Sequence, residues 1–171
     1  AIAKKVDTDL CGLCSSFTTN TGGAAGTELT ADLLFKAQAQ LRTLSVPAPY
    51  YAVFHPKALF NLKKTLTQAG YSGTATAISE IGNEALRNGY IGRIAGIDVF
   101  ENANLTIDGS DDSIGGVFHP AAIGLAMKED FKVETQRDAS LRATEIVASI
   151  VYGKAVVKES FGVAITTDAA F

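Results

Sequence analysis

The sequence predicts an α+β fold, and three observations carry that prediction. Apolar residues recur at helical spacing through the first half, at Leu34, Ala37, Leu41 and Leu44 and again at Leu59, Leu62 and Leu66. A strand, a tight turn and a second strand follow over residues 89–104 (GYIGRIAGIDVFENAN). β-prone runs then fill most of the chain from Ile114 to Ile165. Helices precede the hairpin and strands follow it.

The first element expected is a helix over residues 1–16, with Val6, Leu10, Leu13 and Phe17 at helical spacing. Residues 18–26 (TTNTGGAAG) read as a loop, because Gly, Asn and Thr cannot fill a helix face. Its glycines do not make a phosphate loop: no strand precedes them, and Thr27 stands where that motif needs Lys. Thr30 opens a second helix as N-cap. Asp32 lies in its first turn, and Leu29 and Leu34 are spaced for a hydrophobic staple. The Val46-Pro47-Ala48-Pro49 run ends it. Residues 50–55 (YYAVFH) are a short strand. Pro56 then starts a helix with Lys57, Lys63 and Lys64 outward, ending at Gly70.

A loop over 71–73 and a helix over 76–87, with Ile78, Ile81 and Ala85 inside, lead to the hairpin. Its turn is Ala95-Gly96, since Gly at a two-residue link permits the positive φ such turns need. Residues 105–113 (LTIDGSDDS) make a projecting polar turn. Residues 114–119 are a strand, 120–127 a short helix and 131–137 an alternating strand. The chain turns at Arg137-Asp138-Ala139-Ser140. Residues 141–165 are strand-prone, broken at Gly153 and near Lys158-Glu159-Ser160, with LRATEIVAS also compatible with helix.

Composition narrows the function classes. Apolar residues make up 47% of 171 residues and charged ones 19%, so the chain is not a disordered one. The surface must then carry many small neutral residues, which suits packing between subunits and equally an Ala-rich globular domain. A net charge of −3 with no basic stripe argues against a dedicated nucleic-acid binder. No apolar run reaches the roughly 20 residues that span a bilayer, and no signal peptide is visible. The chain begins at Ala1, already helical in pattern, and residues upstream of it are expected.

Three residue groups carry possible chemistry. Cys11-Gly12-Leu13-Cys14 is a CxxC, either a redox pair or two small buried helix residues. It lacks the second ligand pair a zinc site needs and the preceding strand of thioredoxin-type chemistry. Asp108, Asp111 and Asp112 suggest calcium or a solvated turn, and the twelve-residue calcium loop fails because its last position is His119. Both histidines lie in an echoed motif, Val53-Phe54-His55-Pro56 and Val117-Phe118-His119-Pro120. They share a site for metal or protons, or each orders a strand-to-helix junction through a hydrogen bond. No Gly-x-Ser-x-Gly, HExxH or GxGxxG is present, so no enzyme and no cofactor is expected.

The order of these segments resembles the C-terminal half to two-thirds of a tailed-bacteriophage major capsid protein, over essentially the whole chain. The residues that carry the resemblance are a helix running into a Gly-rich loop (1–26), TADLLFKAQAQL followed by YYAVFHPKALFNLKKTL, the hairpin Gly92-Arg93-Ile94-Ala95-Gly96-Ile97-Asp98-Val99, the Gly115-Gly116-Val117 strand and the closing FKVETQRDASLRATEIVASIVYGKAVVKESFGVAI. The resemblance implies a shell fold with an axial α/β domain (28–129, with 155–171 returning to it). It implies a peripheral domain (1–27 and 130–154) bearing a spine helix and long strands. It also implies a structural protein that self-assembles into the hexamers and pentamers of an icosahedral head. That head is built in the bacterial host cytoplasm and encloses DNA without sequence-specific binding. Scaffold, portal and decoration proteins are its further partners, and no membrane is involved. An encapsulin-type compartment shares the fold and is the nearest alternative. A small α/β enzyme using His55 and His119 is a more distant one. The N-terminal arm and extended loop of the family have no counterpart in the chain. No Asn follows Arg137-Asp138, so covalent cross-linking is not expected. The expected subunit-interface residues are Lys4, Lys5, Asp7 and Asp9, the Asp108, Asp111 and Asp112 turn, and Arg137, Asp138 and Arg142.

Overall fold

A computed structural model describes residues 2–71 and 92–170. The helix expected over 76–87 and the start of the hairpin lie outside the described residues. Eleven elements organise the rest: α1 (Ile2–Cys11), β1 (Thr21–Gly23), α2 (Ala31–Thr43), β2 (Tyr50–Phe54), α3 (Pro56–Tyr71), β3 (Arg93–Ile94), β4 (Ile97–Glu101), β5 (Asp112–Phe118), β6 (Ile123–Asp138), β7 (Ala143–Val156) and β8 (Gly162–Asp168). Short 3-10 turns stand at Gly12–Ser16, Pro120–Ala122 and Glu159–Phe161.

Six strands form one mixed sheet in the order β1-β8-β5-β2-β4-β3. Tyr50, Ala52 and Phe54 of β2 lie on one face with Ile97, Val99, Val117, Val163 and Ile165, because residues directly opposite in a ladder share a face. Leu34, Ala37 and Leu41 of α2 and Leu59 and Leu62 of α3 close over that face and complete the main core. The staple residues Leu29 and Leu34 are both fully buried. Leu44, expected on the same stripe, is 43% exposed because α2 ends before it. Thr30 takes the N-cap position of α2 in extended backbone, and its side chain makes no capping bond. Lys63 and Lys64 point outward to Glu101 and Glu28.

The hairpin turn forms at Ala95 and Gly96, with φ of 53° and 72°. Both central residues are left-handed, as a two-residue turn that matches strand twist requires. The second face of the sheet takes a smaller cluster of Cys14, Phe17, Ala122 and Ala164. Phe17 lies so close on Gly162 that a Cβ there would sit 2.4 Å from its ring.

The remaining two strands, β6 and β7, pair only with each other and form a long antiparallel ribbon. Three expectations change, and one open alternative resolves to strand. The helix expected over 120–127 is a single 3-10 turn, Pro120–Ala122, followed at once by β6. The apolar residues Ile123, Leu125 and Met127 recur every second position and pair with Val156, Lys154 and Tyr152; that period is a strand's. Gly153 does not break β7, because it pairs with Ala126 inside the ribbon. LRATEIVAS enters β7 as strand. Residues 21–23, expected as loop, add β1 as a parallel edge on β8.

Candidate interaction surface

The ribbon has two chemically different faces. Opposite pairs Leu125/Lys154, Met127/Tyr152, Val133/Ala148 and Thr135/Ile146 lie on one, and Lys132/Ser149, Glu134/Val147 and Gln136/Glu145 on the other. The first face is the more apolar and is open: Leu125 is 43% exposed, Met127 52%, Val133 50% and Ile146 68%, while Val147 and Val151 are open on the other. Lys132 and Glu134 pair on the polar face. Register shifts at Met127/Glu129 and Glu129/Lys132 mark where β6 leaves the body; such bulges bend a strand. A two-stranded ribbon is one layer thick and cannot bury a face by itself. Exposed contiguous apolar surface of this kind marks an interaction site.

Helix α1 sits where the ribbon meets the sheet and buries none of its residues. The Asp9 carboxylate accepts from the Tyr152 hydroxyl at 2.6 Å and pairs with Lys154 and Lys5, each at 3.0 Å. Lys154 also donates to the Asp9 carbonyl at 2.8 Å. The Tyr152 hydroxyl first, then Lys5 and Lys154, hold this carboxyl well below the usual range. Asp7 accepts from the side-chain amides of Asn102 and Asn104 in the β4–β5 connection. Between α1, the sheet and the ribbon base is a 320 Å³ cleft lined mainly by Leu10, Cys14, Val53, Phe118, Ile123 and Leu125.

The charged residues expected at subunit contacts fall into three places. Lys5, Asp7 and Asp9 are engaged within the chain, as above, and Lys4 is exposed beside them. In the 105–113 turn, Asp108 accepts from the backbone N–H groups of Ser110 and Asp112. Asp112 is buried and accepts from Gly26 N–H at 2.7 Å, so it ties the turn to the loop before α2. Asp111 is exposed, with a positive φ of 60°. At the ribbon tip, Asp138 accepts from the Ser140 hydroxyl and N–H and from Leu141 N–H. The Ser140 hydroxyl is the main reason its carboxyl stays below the ordinary value. Arg137 and Arg142 flank this turn, exposed. Only the turn and α1 come near one another, across a 260 Å³ cleft lined by Thr8, Cys11, Asp108 and Asp112 among others.

The groups with possible chemistry have structural partners. Cys14 is buried, and burial pushes its thiol up to about 12 and that of Cys11 to about 11. Thiols so raised are not nucleophiles at neutral pH. Each histidine accepts, at Nδ1, the backbone N–H two residues on: Lys57 to His55 at 3.2 Å and Ala121 to His119 at 3.1 Å. The echoed motif is therefore a repeated junction cap. Among the described residues, no group of three or more His, Cys, Asp or Glu is placed to hold a metal, and no helix is long and apolar enough to cross a membrane.

Sequence reasoning named charges and missed the apolar ribbon face. Its signal was the every-second-residue pattern Ile123, Leu125, Met127 and Ile146, Ala148, Ile150, Tyr152.

A family model described as phage capsid protein matches residues 1–165. No curated protein matches the chain. Among solved structures, a chain of Mycobacterium phage Che8 is similar with a TM-score of 0.75 and 27% identity, over 96% of this chain and 58% of its own. The capsid of cyanophage P-SCSP1u gives 0.70 and 16%, over 99% and 63%. The holo-SrpI encapsulin complex of Synechococcus elongatus PCC 7942 gives 0.63 and 10%, over 90% and 55%. This chain thus spans under two thirds of the length of each. The likeness to the last two is one of fold, and the α+β fold is that of phage capsid proteins.

Proposed function

The chain belongs to the phage capsid protein family, and from that premise we propose that it is the coat subunit of an icosahedral phage head. Copies close into hexamers and pentamers around packaged DNA, in the bacterial host cytoplasm, with scaffold, portal and decoration proteins as further partners. The role is structural and asks no chemistry of the chain. Residues 28–129 with 155–171, which hold most of the sheet and the foot of the ribbon, are the axial part, and residues 1–27 and 130–154, which hold α1, the edge strand β1 and the outer ribbon, are the peripheral part.

The observation that carries this reading is the open apolar ribbon face. An open apolar surface for neighbours to cover, beside further exposed apolar side chains such as Phe35 and Phe100, is what symmetric self-assembly needs. The net charge of −3 suits a wall that holds DNA without gripping it. In this reading the exposed Lys4, Arg137 and Arg142 meet neighbours, while Asp9, Asp112 and Asp138 act within the subunit. An encapsulin compartment shares the fold, at 10% identity to the solved example, but the matching family is that of phage capsids.

Electron microscopy of native particles containing the full-length protein tests the proposal. Closed shells filled with DNA are expected. Shells filled with protein would move the reading to an encapsulin compartment, and a discrete monomer or dimer would overturn both.

A further inference from the structure

We propose that Asp7 and Asp9 make α1 a two-point brace that sets the angle at which the ribbon leaves the sheet body. Residues two apart on a helix are about 200° round its axis and do not face each other. The two carboxylates therefore reach to different sides of α1. Asp7 is held by Asn102 and Asn104, which belong to the body. Asp9 is held by Tyr152 and Lys154, which belong to β7. Asn102 is itself fixed, since its side-chain oxygen accepts from Asn104 N–H at 2.8 Å.

Apolar packing alone does not do this work: Val6, Leu10 and Cys11 of α1 are half-buried, and no residue of the helix is fully buried. The ribbon's other anchor is at its foot, where Ile123 and Val156 pack against Cys14, Phe17, Ala122 and Ala164. The ribbon joins the body through β6 at Ile123 and β7 at Val156, where Val157 N–H and Lys158 N–H both reach the Ala122 carbonyl. The two register shifts just beyond that point give β6 room to bend. Charge-assisted hydrogen bonds are directional as well as strong, so they fix an angle where a greasy contact would let it slide. Asp7 and Asp9 act here as positioning residues within one subunit. The inference concerns the chain itself and does not rest on shell formation.

Hydrogen–deuterium exchange on the full-length protein tests it. Asp9→Ala is expected to speed exchange about tenfold at the ribbon base, residues 123–127 and 150–156. Exchange in β5 and β8 should hold. Tyr152→Phe gives a smaller change and adds little on top of Asp9→Ala, because both remove the same bond. The discriminating variant is Asp7→Ala. The hydrogen bonds of Asp7 go to Asn102 and Asn104 of the body, yet a brace cut at its body end must also loosen the ribbon base. Ribbon exchange unchanged in Asp7→Ala would overturn the proposal. So would an equal rise in β5 and β8, which reports general loss of stability. If Asp9→Ala does not fold, Tyr152→Phe and Asn104→Ala cut the two ends more gently, with the same expected and overturning outcomes.

Discussion

The sheet body and the ribbon are written in the same alternating code and meet opposite fates. In β2, Tyr50, Ala52 and Phe54 alternate with Tyr51 and Val53, and their side chains are 0 to 3% exposed because α2 and α3 close over them. In the ribbon, Val133 and Ile146 alternate with Lys132 and Glu145 just as regularly, and both are at least half exposed. Alternation decides which face of a strand is apolar. It does not decide what covers that face. The body brings its own second layer within the chain. The described ribbon does not, which makes its sequence intelligible only if something outside this stretch of chain completes it.

The sharpest way to break the comparison is to remove one apolar side chain from each region. Phe54→Ala is expected to destabilise the folded chain by about 3–5 kcal/mol, since a fully buried ring leaves a cavity between the sheet and its helices. Denaturant unfolding reads this directly. Val133→Ser with Ile146→Ser should change the same midpoint by no more than about 0.5 kcal/mol per site, the range of surface substitutions. The double variant should instead lose particle yield, read by sedimentation of the expressed protein. Equal destabilisation in both regions would mean that the ribbon face is already covered within the chain. Unchanged particle yield would remove the face from assembly.

The body was largely legible from sequence, and the physical reason is redundancy. At α2 and α3 the helical stripe, the first-turn Asp32, the Pro56 start and the staple Leu29 and Leu34 all point the same way. At the hairpin, Ala95-Gly96 leaves few other turns open. The ribbon was only half legible. Residues 120–127 contain Pro, Ala and Met, which suit a helix, and the strand period of Ile123, Leu125 and Met127 is masked by the Gly and Ala between them. Pairing with β7, about thirty residues later in sequence, decides the matter, and propensity cannot see it. The candidate surface was missed for a related reason. Charges draw attention as contact residues, yet Asp9, Asp112 and Asp138 found partners inside their own chain.

A smaller effect separates the regions by pH. Glu159 accepts from the N–H and hydroxyl of Thr18 and from Thr19 N–H, and so pins the loop before β1 to the turn before β8. Those bonds, the Thr18 hydroxyl foremost, lower its carboxyl from 4.5 to about 2. A depressed carboxylate stabilises fully above its ordinary value and loses that contribution as pH falls from 4.5 toward 2. Exchange at β1 and the start of β8 should therefore rise across that window while the middle of the ribbon holds. Glu159→Gln should flatten the dependence. A ribbon that loosens over the same window, with β1 unchanged, would reverse the assignment.

A further small pH effect is expected at the β2–α3 junction, which belongs wholly to the body. His55 accepts the Lys57 N–H at Nδ1, and a ring nitrogen accepts only when it carries no proton. Burial first, and Lys57 next, push the His55 pKa below its ordinary 6.5, against a smaller opposing pull from Glu101. The neutral ring is thus the folded form's preference. The stabilisation is complete above pH 6.5 and declines as acid protonates the unfolded chain more readily than the folded one. Between pH 7.5 and 5 the loss should not exceed about 1 kcal/mol, the scale of a helix cap. His55→Asn offers an amide oxygen that accepts the same N–H two residues on and does not titrate. It should keep the junction's stability at pH 5 near its value at pH 7.5, while His55→Ala should be weaker at both. If wild type and His55→Asn lost stability equally on acidification, the titrating group would lie elsewhere, and the ribbon's own carboxylates would be the next place to look.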